Sequence, residues 1–137
     1  MAATETSPAL DSELVRQFVA DAHGDLEAVR GALSAEPALA NACWDWGGGD
    51  WETGLGAAAH MGRRDIAELL LEHGARLDVF AAAMLGETEV VRAILAMHPE
   101  VRNSLGPHGI PLRAHAVAGG EQARPVLELL DAPSERR

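Results

Sequence analysis

The stretch TGLGAAAHMGRRDIAELLLEHGARLD, Thr53 to Asp78, decides the fold. It begins with a run of small residues, Gly54 to Ala59, broken at Gly62. Alanine is the strongest helix former and takes little room, so this run predicts a helix that lies close against its neighbours. After Gly62, Ile66, Leu69 and Leu70 fall at i, i+3 and i+4, which is one apolar face of a second helix. Asp65 and Glu68 sit toward its N-terminal half, where the helix dipole favours acids. Gly74 supplies a left-handed residue at its end. Neither helix can bury its face alone, so stacking against further pairs must supply the core.

Three other segments share this plan. They are FVADAHGDLEAVRGAL, VFAAAMLGETEVVRAIL and PLRAHAVAGGEQARPVLELL, aligned with the first on Gly24, Gly62, Gly86 and Gly119. The alignment predicts helix pairs near 12–34, 54–73, 79–97 and 111–131. Successive marker glycines are 38, 24 and 33 residues apart.

This pattern resembles the ankyrin repeat, whose period is 33 residues. The second unit carries the likeness best. Thr53, Leu55, Ala58, Ala59, Gly62, Ile66, Leu69, Leu70, Leu71, Gly74 and Ala75 stand on matching positions of the family pattern. The resemblance runs over residues 12–131 and implies an all-α, ankyrin-type helical solenoid of about four stacked helix pairs with irregular fingers. Residues 1–11 are then an N-terminal tail, 12–131 a single ankyrin-repeat domain and 132–137 a disordered C-terminal tail. The departures are local. Gly54 and Gly56 replace the family's Pro and His, which leaves space for a substrate or permits close helix packing. The first connection is lengthened around ACWDWGGGDWE, and the third unit has almost no finger. Arg113 takes the place of the family's His in the fourth unit.

Composition agrees and narrows the function. Of 137 residues, 47% are hydrophobic and 4% aromatic, and β-branched runs are short, so helices are favoured over a sheet. The net charge of −10 argues against nucleic acid, whose phosphates require neutralisation, and against anionic membranes. Cys43 is alone, so it has no partner within the chain for a disulfide. The N-terminal MAATETSPAL lacks a basic region and an apolar run, so it does not read as a secretory signal. A cytoplasmic protein is expected.

Ankyrin proteins bind through finger tips and the exposed side of the first helices. That resemblance places His60, Met61, Met84, Asp50, Trp51 and Glu52 on the binding side. Trp44, Trp46 and Trp51 lie within eight residues. They either cover the exposed end of the first unit or wall a ligand. With Asp45, Asp50 and Glu52 interleaved, a cationic or hydroxylated ligand suits them. Gly47 to Gly49 form a flexible loop or let backbone approach that ligand. Of six histidines, His73 and His98 read as surface residues, and His23 beside Gly24 carries little signal. His60, His108 and His115 are either structural or acid–base groups. His115 stands where the family has a small residue, so if buried it requires a hydrogen-bond partner.

The expected function is a binding module with a groove of Trp, acid and His side chains for a small organic ligand or a protein partner. The ligand-binding candidates are Trp44, Trp46, Trp51, Met61, Met84, His115 and Arg113. The alternative is a small-molecule isomerase, cyclase or dehydratase using His60, Asp50, Glu52 and His108. A carboxylate beside an imidazole favours the charged ring, so one histidine can donate a proton while another accepts. No phosphate loop and no nucleophile elbow is present. A metal site from His60, His108, His115 and an acid has no local ligand spacing behind it, so no metal and no cofactor is expected.

Overall fold

The computed structural model describes residues 7–133, so the outer parts of both expected tails lie outside the described residues. Eight α-helices occur among them, two in each predicted range. They are α1 (Ser12–Asp21), α2 (Leu26–Ala35), α3 (Gly54–His60), α4 (Arg64–Glu72), α5 (Val79–Leu85), α6 (Thr88–Met97), α7 (Leu112–Ala118) and α8 (Arg124–Asp131). None is long and apolar enough to cross a membrane.

Local chemistry sets the helix starts. The side chains of Asp11, Asp25, Thr53 and Asp78 accept from the backbone N–H of Leu14, Ala28, Gly56 and Ala81. Each satisfies one of the free donors that every helix N-terminus presents. The alanine runs Ala57–Ala59 and Ala81–Ala83 are wholly buried, as closely packed helices require. On α4 the stripe of Ile66, Leu69 and Leu70 is buried while Asp65 and Glu68 face solvent. Leu69→Ala and Leu70→Ala are each expected to cost about 2–5 kcal/mol, as buried leucine truncations do. Urea denaturation checks this; a loss near zero would place the stripe outside the core.

The first helices of the pairs touch in sequence, α1 with α3, α3 with α5 and α5 with α7. The second helices also meet, α2 with α4 and α6 with α8. Arginine side chains join neighbouring pairs by capping carbonyls at helix ends. Arg63 donates to the Gly24 carbonyl at 2.8 Å and Arg64 to the Leu85 carbonyl at 2.9 Å. One contact departs from a simple row, because α7 also packs on α3. There the Gly62 Cα lies so near the Ala118 carbonyl that an added Cβ would stand 2.5 Å from its oxygen. The third pair has no finger of its own, so the fourth pair's connection reaches the second pair directly.

The described residues are mostly helical, as expected, and the lengthened first connection adds one short antiparallel hairpin, Cys43–Asp45 (β1) with Trp51–Thr53 (β2). Gly47, Gly48 and Gly49 turn it, all with positive φ and with open space around them. Asp45 ties the turn by accepting from the N–H of Gly47 at 2.8 Å and of Gly49 at 3.0 Å. These glycines serve the turn. Of the two roles open to Gly54 and Gly56, close packing is the one observed, and no space for a substrate remains beside them. A Cβ on Gly54 would stand 3.0 Å from Phe18, and one on Gly56 would stand 3.3 Å from Pro107.

Candidate functional site

The hairpin register pairs Cys43 with Thr53, Trp44 with Glu52 and Asp45 with Trp51. Successive strand residues point to opposite faces. Trp44 and Glu52 therefore face inward, while Cys43, Asp45, Trp51 and Thr53 face outward. Trp44 packs against the core, and Trp51 is 59% exposed. The pleat thus divides residues that sit side by side in sequence.

Glu52 is 1% exposed and sits at the centre of four ring systems. Its carboxylate accepts from the Trp46 indole N–H at 2.8 Å. The Nε2 atoms of His60, His108 and His23 lie 2.9, 3.1 and 3.2 Å from its oxygens. His23 follows the end of α1, and His60 ends α3. His108 comes from a loop 56 residues beyond Glu52.

Two of the rings are held from behind. The Nδ1 of His23 lies 2.9 Å from the Val19 carbonyl and 3.2 Å from that of Ala20, both in the last turn of α1. The Nδ1 of His108 lies 2.7 Å from Asp50 Oδ2, and the His108 backbone N–H donates to Asp50 Oδ1, also at 2.7 Å. His108 has φ of 62°, making it the only non-glycine with positive φ among the described residues. That conformation costs of order 1 kcal/mol. The two bonds from Asp50 hold it in place.

The electrostatics follow from this packing. Burial alone pushes the Glu52 carboxyl up, but hydrogen bonds from His23, His60 and Trp46 outweigh it and hold the group well below the usual carboxylate range. The hydrogen bond to Glu52 raises the His23 imidazole above its ordinary value, against the opposing effect of burial. Asp50 is held low, first by the His108 backbone N–H and then by its ring.

Of the residues singled out in sequence, His60, Asp50, Glu52, His108 and Trp46 come together. The others lie elsewhere. Trp51 borders an outer cleft of about 390 Å³, lined also by Asp50, Phe80, Leu105 and Pro107. Met61 is 51% exposed, whereas Met84 is a core residue, 1% exposed. Arg113 is engaged by Asp131 through two bonds of 2.7 and 2.9 Å. His115 is fully buried against Phe80, with ring centroids 4.8 Å apart. Its Nδ1 meets the Pro111 carbonyl at 2.9 Å, and its Nε2 has no protein partner. Burial lowers its pKa by disfavouring the charged ring.

His23 is the member that sequence reasoning passed over. The repeat alignment held a signal for it, since His23 adjoins marker Gly24 much as His60 lies two residues before marker Gly62.

Chemically, a buried carboxylate among imidazoles can pass protons or fix a polar ligand. His23, Glu52, His60 and His108 also each present a donor atom, all within 4.8 Å of one another, which is the arrangement of a metal-ligand set. Local spacing could not reveal it, because the four donors come from four separate segments.

Residues 50–81, which include Asp50, Glu52 and His60, match the family model described as Ankyrin repeat. No curated protein and no solved structure matches the chain.

Proposed function

We propose that the whole chain, whose residues 50–81 match the ankyrin-repeat model, is a small ankyrin-type binding module for a polar organic ligand. Its helix pairs stack as a short solenoid whose fourth unit curls back against the second. The hairpin and the ends of α1 and α3 form the binding face. The observation that carries this reading is the convergence of His23, His60 and His108 on buried Glu52. A purely structural core gains nothing from one buried carboxylate ringed by three imidazoles, since apolar side chains of the same volume stabilise as well or better. The site also opens to solvent at one rim: the His23 and His108 side chains are 26% and 32% exposed. Rings there can exchange a bond to Glu52 for one to a ligand hydroxyl or carbonyl.

The Asp50–His108–Glu52–His60 chain supports a second reading, acid–base catalysis on the same ligand. Its carboxylates and imidazoles are within direct proton-transfer distance, 2.7 to 3.1 Å.

Titration with short polyols and hydroxy-carbonyl compounds tests both readings. Trp46 donates to Glu52, so its emission reports arrival at the site. A saturable change is expected, weakened about 10-fold or more in His23→Ala, the worth of one good hydrogen bond. No response from any compound, or an equal response in His23→Ala, would place recognition elsewhere. Product formation in the same mixtures separates catalysis from binding.

A further inference from the structure

We propose that His23, His60, His108 and Glu52 bind a divalent first-row metal ion through the three Nε2 atoms and one carboxylate oxygen. The inference deepens the binding reading, whose site it shares, by naming what the site holds.

The geometry carries it in three steps. First, the donors are the right kind and number. Three imidazoles and a carboxylate suit zinc, cobalt, iron or manganese in the divalent state. Bonds of about 2.1 Å put tetrahedral donors roughly 3.4 Å apart. The three histidine nitrogens already stand 2.9 to 3.2 Å from the Glu52 oxygens, and the whole set lies within 4.8 Å. Small side-chain rotations close the remaining gap.

Second, two of the rings are oriented for ligation. A backbone carbonyl and a carboxylate are acceptors only, so the Nδ1 atoms of His23 and His108 carry the proton there. In each neutral ring the lone pair is then at Nε2, aimed at the common centre. The Asp50–His108 pair is the carboxylate–histidine arrangement that orients metal-ligating imidazoles.

Third, the charges require a resolution. The ring centroids of His23, His60 and His108 are 5.0, 5.2 and 6.0 Å apart. Fully charged, the rings would crowd three positive charges around Glu52. Fully neutral, those of His23 and His108 would point lone pairs at carboxylate lone pairs. A dication between neutral rings removes both conflicts. With Glu52 ligating and Asp50 behind His108, the centre is then electrically neutral.

The test uses the full chain, stripped of metal with a chelator and titrated with Zn²⁺ alone in a calorimeter. One ion per chain is expected. His23→Asn and His60→Asn each lower the affinity by about 100-fold or more, and Asp50→Asn lowers it by about 10–100-fold through His108. His73→Asn and His98→Asn leave it unchanged. Co²⁺ provides a readout needing no variant: large contact shifts on the ring protons of three ligating imidazoles, those of His23, His60 and His108, with only smaller through-space shifts elsewhere. Absence of stoichiometric Zn²⁺ binding would overturn the proposal, as would undiminished binding in both His23→Asn and His60→Asn, or Co²⁺ contact shifts on the rings of other histidines. Because the probe is the ion alone, this outcome is independent of whether any organic compound binds.

Discussion

Glu52→Ala is expected to destabilise the metal-free protein by about 3–4 kcal/mol, the loss typical of removing one partner from a buried charged cluster. The reason lies in what remains. The Trp46 indole N–H loses its acceptor, and the Nε2 atoms of His23, His60 and His108 lose theirs, around a residue that is 1% exposed. Two of those rings reach solvent and recover part of the loss, which keeps the figure below the upper end for such sites. Glu52→Gln keeps the volume and one acceptor oxygen, so it should lose less. Urea denaturation with chelator present measures both, free of any contribution from bound ions. A loss under about 1 kcal/mol for Glu52→Ala would mean that water already serves these donors, and the cluster would not be a buried site.

Gly86→Ala is expected to cost upwards of about 3 kcal/mol through overpacking and backbone strain together. Gly86 ends α5 with φ of 78°, a conformation that L side chains adopt at a cost. The larger effect is contact. Its Cβ would stand 2.2 Å from the Gln122 carbonyl oxygen and 3.0 Å from the carbon. Backbone cannot rotate away as a side chain does, so the α5 and α7–α8 regions would have to separate. Gly24→Ala is the control. Its nearest neighbour would be the flexible Arg63 guanidinium at 3.6 Å, and a change within about 0.5 kcal/mol is expected. Thermal melts of the two variants check the contrast. Equal stability would mean that the marker glycines act only through chain flexibility.

That contrast also shows how the repeat alignment should be understood. Gly24, Gly62, Gly86 and Gly119 align in sequence, but they do not share one physical role. Gly62 and Gly86 have positive φ and a neighbouring backbone close by. Gly119 has an ordinary φ of −74°, and its constraint is the Met84 carbonyl, 2.1 Å from where its Cβ would be. In the fourth unit the left-handed position falls one residue later, at Gly120. The sequence pattern marked the places where helices approach. Only the packing distinguishes conformational need from lack of room.

The helices were legible because their causes are local. Periodicity of Ile66, Leu69 and Leu70, the alanine runs, the capping side chains of Asp11, Asp25, Thr53 and Asp78, and the breaks at glycine all act within a few residues. The sequence by itself therefore determined the four helix pairs and placed Asp50, Glu52, His60 and His108 among the candidates. Tertiary structure decided which of these residues meet. Whether Glu52 or Trp51 faces inward depends on the phase of a three-residue strand, and a shift of one residue would exchange them. His23 and His108 are 85 residues apart, and they meet at Glu52 because the fourth unit reaches past a third unit that lacks a finger. The final aim of the His108 ring comes from its left-handed backbone and its bonds to Asp50, 58 residues away. These are long-range contacts between segments, and no local periodicity records them.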